Sequence, residues 1–149
     1  MRKLLLLAAL CPASLLSAPA PAQSTAAPPA ASRDEAAIAA LNRELGENWD
    51  ASQSGQLLYL GFHSAAAVMC DGLELDPAKL SKVIHESFLE GAAQLSAEDR
   101  AKLNERLVGS LSLATGVFMG LHSHDTADFC ARAMNERNSA KDSSSLFKD

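Results

Sequence analysis

Cys70 and Cys130 constrain this chain more than any other pair of residues. They stand 60 residues apart, and the only other cysteine, Cys11, falls in an N-terminal stretch of quite different character. Met1-Arg2-Lys3 is basic, Leu4 to Leu10 is apolar, and Pro12 to Ala22 is small and Pro-rich, ending Ala20-Pro21-Ala22. That order is the layout of a secretory signal peptide over residues 1–22, with cleavage after Ala22. The apolar run is too short for a membrane span, which takes about 20 residues. Leu10 directly precedes Cys11, where a lipidated cysteine requires a small residue. The expected location is therefore the periplasm or the exterior. In an oxidising compartment Cys70 and Cys130 read as a structural disulfide. Closing a loop of about 60 residues is worth roughly 4 kcal/mol, against a typical total stability of about 5–15 kcal/mol.

Removing residues 1–22 takes away Arg2 and Lys3 and no acid. It leaves 11 basic residues against 18 acidic ones, a net charge of −7. Such a surface lacks the positive footprint that nucleic acid or anionic lipid demands, so neither is an expected partner. Apolar residues make up 48% of the chain but aromatics only 5%, so the core rests on Ala and Leu, as helix packing does. There is no alternating strand pattern and no internal repeat.

Along the chain, Gln23 to Ala31 (QSTAAPPAA) reads as a flexible linker. Ser32-Arg33-Asp34-Glu35 is a capping box. Ile38, Leu41, Leu45 and Trp49 follow as the stripe of an amphipathic helix expected to run to about Ser52 and to break at Ser54-Gly55. Gln56 to Gly72 is the central helix, apolar around most of its girth, with a thin waist at Gly61 and Ala65. One of its rows is Tyr59, His63, Ala66 and Cys70. Asp76-Pro77 restarts the helix pattern, and Gly91 stops it. Ser96 caps the longest helix, whose Gly109, Ser112, Gly116 and Gly120 form a small face expected to meet the waist of the central helix. A last helix carries Phe129, Cys130, Ala133 and Met134 on its expected inner face. Residues 32–139 are then one helical domain, and residues 140–149 a disordered tail.

Chemistry-bearing residues are sparse. His122, His124, Asp125 and Asp128 could gather a metal at a helix junction, although their spacing does not put them on one helical face. His63 reads as a hydrogen-bonded interior histidine. The sequence contains no GxSxG, HExxH, GxGxxG or P-loop, and Ser110, Ser112 and Ser123 lie near histidines only along the chain. These readings imply an all-α bundle of about five helices pinned by one disulfide, with no cofactor and no membrane insertion once the signal is removed. The function expected of it is non-enzymatic binding of a protein partner in a bacterial cell envelope. The alternatives are a periplasmic metal-binding protein using the His122–Asp128 corner, or a hydrolase of unrecognised type.

Overall fold

A computed structural model of the chain describes residues 32–139 and 145–148. The expected signal peptide, the linker and Cys11 lie outside the described residues. The described part is an all-α bundle of five helices: α1 (Arg33–Gly46), α2 (Ala51–Met69), α3 (Pro77–Ile84), α4 (Ala97–His122) and α5 (Thr126–Ser139). A single disulfide joins Cys70 to Cys130, with Cα atoms 5.4 Å apart. Among the described residues no helix is long and apolar enough to cross a membrane.

Side chains set the helix starts. In the α1 capping box, Glu35 N–H donates to Ser32 Oγ and Ser32 N–H donates to Glu35 Oε2. Asp50 and Gln53 repeat the device at the start of α2, and this moves the first break. It lies at Glu47–Asp50 and not at Ser54-Gly55, which sit inside α2. A reciprocal cap satisfies two otherwise unpaired N–H groups. That outweighs the mild turn preference of a Ser-Gly pair, and Ser54 is buried in the helix so formed. Asp76 caps α3 through Ala78 and Lys79, with Pro77 in its first turn. α3 continues into a π-helical turn, His85–Leu89, and Gly91 reverses the chain at φ +78°. That conformation is open to glycine without steric penalty.

α2 packs most extensively against α4, with α1 on α4 and α5 on α2. The core has two parts. One gathers Leu41, Leu45, Trp49, Leu57, Leu60, Phe88 and Leu107. There Trp49 stands edge-on to Phe88 and its Nε1–H donates to Ser110 Oγ at 2.8 Å. The other gathers Ala65, Ala66, Cys70, Phe129 and Ala133 around the disulfide.

Three packing expectations need correction. Gly61 and Ala65 are buried at the waist, but Gly61 meets Ala114 and the Thr115 backbone. Gly109, Gly116 and Gly120 are exposed, with no neighbour within 4 Å of where a Cβ would stand. One alanine opposite one glycine suffices for close approach, so α4 turns Leu107 and Ala114 inward and its glycines outward. Val68 and Met134 also face solvent, and the buried residues of α5 are Phe129 and Ala133. Lastly, Ser145–Lys148, expected to fray, dock on the bundle. Leu146 and Phe147 are buried, and Asp76 N–H donates to the Leu146 carbonyl while Lys148 N–H donates to that of Glu74. Burying a Leu and a Phe side chain is worth about 1.5–3 kcal/mol each, enough to hold a four-residue segment.

Candidate functional site

Three surface hollows adjoin where the first turn of α1, the last turns of α4 and the first turns of α5 meet. The Ser32–Glu35 box fixes the start of α1 and presents Asp34. α4 ends at His122, whose carbonyl accepts from Asp125 N–H and from Thr126 Oγ1 at 3.2 Å. This sharp corner swings α5 back so that Phe129 lies under His122, the two rings stacked at 4.6 Å. Arg132, one turn further, brings Nη2 to 3.5 Å from His122 Nδ1.

Cavities of about 490, 500 and 460 Å³ adjoin here, all open to solvent, and all three are lined by Asp34 and Leu121. His122, Asp125, Asp128, Arg132 and Asn135 line the first. The second adds Ala37, Val117 and His124, and the third Ile38, Asn42 and Phe118. A fourth hollow, more apolar, shares Ala37 and Val117 and continues along α1 to Glu44 and Leu113. The first three hollows meet at Asp34 and Leu121, and the second and fourth run on as a groove between α1 and α4 from Asp34 to Glu44. Half-buried Ile38, Val117, Phe118 and Leu121 line these hollows, and exposed Asp34, Asp125, Asp128 and Arg132 stand at their edges. Burial, then the Arg132 charge, pushes the His122 pKa below the usual imidazole value, with Asp34 and Asp125 opposing. The ring is thus a neutral, aromatic part of the wall.

The expected metal corner is not assembled. Among the described residues no three His, Cys, Asp or Glu side chains converge to hold a metal ion. His122 is turned onto Phe129 with its Nδ1 toward Arg132, while His124, Asp125 and Asp128 point to solvent. The hydroxyls near the histidines are engaged elsewhere: Ser123 Oγ donates to the Gly120 carbonyl and Ser110 Oγ accepts from Trp49.

His63 is fully buried on α2. Its Nδ1 lies 2.9 Å from the Tyr59 carbonyl, and its Nε2 lies 3.0 Å from Glu136 Oε1 of α5, a close approach without hydrogen-bond geometry. Sequence reasoning missed Glu136, Asp34 and Arg132, whose roles depend on helix placement alone. It also missed Leu146-Phe147, an apolar pair in a polar tail that could have been read as an anchor.

The chain matches no protein-family model, no curated protein and no solved structure. Its own geometry is the ground for any functional reading.

Proposed function

We propose that the chain is an exported, non-enzymatic binding protein that seats a segment of a protein partner in the α1/α4 groove. The observation that carries this reading is the groove from Asp34 to Glu44: two adjoining hollows share Ala37 and Val117 on their floor, and Asp34, Asp125 and Asp128 stand about its Asp34 end. From Asp34 to Glu44 it runs about 15 Å at 1.5 Å per helical residue. That is room for about three turns of a partner helix. Such grooves take the apolar face of an amphipathic helix, anchored at helical spacing.

Charge narrows the partner further. Around the hollows Asp34, Glu35, Glu44, Asp125 and Asp128 outnumber Arg33 and Arg132, and the whole chain is acidic. A segment with Leu, Ile or Phe on one face and Lys or Arg on the flanks satisfies both floor and rim, the charges favouring encounter and register more than raw affinity. The N-terminal sequence layout and the Cys70–Cys130 bond support residence in an oxidising compartment, periplasmic or external.

The test is site-specific photocrosslinking in the producing cell. A photoreactive residue replacing Leu121 on the groove floor should yield a discrete protein adduct. The same residue at exposed Ser81 on α3 should not. Adducts at neither position, or the same adduct at both, would overturn the proposal.

A further inference from the structure

Ser145–Lys148 lies across the bundle as a strap, and the group beneath it is the buried imidazole of His63. The Phe147 ring covers His63 at a centroid distance of 4.8 Å. The strap forms one antiparallel bridge, Phe147 to Leu75, with backbone bonds Asp76 N–H to Leu146 O (2.7 Å) and Lys148 N–H to Glu74 O (2.8 Å). Lys79 of α3 donates its Nζ–H to the Phe147 carbonyl at 3.1 Å, and Lys148 Nζ pairs with Glu74 Oε2 at 2.5 Å. We infer that the strap is an acid-released latch: a proton taken up by His63 favours the undocked strap, because only there can water reach the imidazole.

The geometry says where the proton goes. Nδ1 faces the Tyr59 carbonyl and so carries the hydrogen of the neutral ring, assigned from the contact itself. Nε2 is the free position, and it faces Glu136. While the strap is docked, the ring has no access to water, and burial disfavours the charged form. When Phe147 lifts away, that opposition goes and Glu136 remains as counter-charge to the imidazolium. Burial is likewise the largest influence on the docked ring and pushes its pKa down, against the Tyr59 carbonyl and Glu136.

Among the described residues the ionisable groups around the strap include Tyr59 on α2, Glu136 on α5, Lys79 on α3, Glu74 and Asp76 before α3 and Lys148 on the strap. Burial raises the Tyr59 pKa. The Glu74–Lys148 pair holds its carboxyl below and its ammonium above their usual values, so the pair stays intact through mild acid. His63 is then the group beneath the strap whose charge changes below neutrality. One proton bound by the released form and refused by the docked form makes release rise by at most about tenfold per pH unit. Released, the strap uncovers the Glu74–Asp76 backbone and the apolar seat of Phe147.

The experiment is amide hydrogen exchange on the full chain from pH 7.5 to 5, corrected for intrinsic rates. The amides that bond across the strap, those of Asp76 and Lys148, are compared with those of Leu57 and Ala114 in the core. The expected result is a loss of strap protection below about pH 6.5 that exceeds the loss in the core, a flat strap profile in His63→Gln, and a profile displaced to lower pH in Glu136→Gln. Strap and core amides falling together, or a wild-type profile shared by both variants, would overturn it. Should His63→Gln fail to fold, Glu136→Gln decides alone: an unshifted profile counts against the latch.

Discussion

Gly61 on α2 and Ala114 on α4 touch with no room for one more carbon: a Cβ on Gly61 would lie 2.7 Å from the Ala114 Cβ and 3.0 Å from its carbonyl carbon. Backbone atoms cannot rotate aside, so Gly61→Ala must push the two longest helices apart. Overpacking costs about 1–3 kcal/mol, and alanine returns at most about 1 kcal/mol in helix propensity. A net loss of about 1–2 kcal/mol in urea unfolding is expected. Gly116→Ala, on the open face of α4, should instead gain about 0.5–1 kcal/mol. Equal effects at the two sites would contradict this packing.

The Cys70–Cys130 bond ties the last helix to the end of α2 across a loop of 60 residues. Replacing both cysteines by alanine should cost roughly 2–5 kcal/mol, read as a lower urea midpoint under non-reducing conditions. Adding reductant should bring the wild type down to the variant. A midpoint unaffected by reductant would contradict a structural role.

Much of this architecture was legible in the sequence because it rests on local chemistry. The Ser32 box, the Asp76-Pro77 start and the Gly91 reversal depend on a few adjacent residues each, and the disulfide needed only two cysteines and a compartment. The first break was misplaced because Asp50 and Gln53 were not weighed as a cap against Ser54-Gly55. The outward turn of Gly109, Gly116 and Gly120 was not legible, since a row of small residues fits a close helix contact or open solvent equally well. The groove lay further beyond reach. Asp34 and Arg132 are 98 positions apart and share a cavity only because the corner after His122 folds α5 back. That His122, His124, Asp125 and Asp128 do not converge was illegible for the same reason, since the stacking of His122 on Phe129 depends on where that corner points.

Stability should fall with acid in a particular way. Burial lowers the folded pKa of His63, so the unfolded chain binds a proton that the folded chain refuses. The contribution of His63 is fully present above about pH 6.5, the unfolded value, and is lost as pH falls through the lower folded value. His122 is shifted the same way and adds in the same sense. Urea midpoints measured from pH 7.5 to 5 should decline, and His63→Gln should decline less. A parallel decline in wild type and variant would remove His63 from the account.

The groove itself is tested most directly by fluorescence-anisotropy titration with a labelled 14-residue amphipathic peptide carrying lysines on its polar flanks. The expected result is saturable binding to the wild type, weakened about tenfold in the triple variant Asp34→Asn, Asp125→Asn, Asp128→Asn, as loss of three exposed charge pairs implies. Binding should also weaken with added salt, and an acidic peptide of the same apolar pattern should not bind. No binding by the wild type, or equal affinity in the triple variant, would contradict a groove built for a basic amphipathic segment.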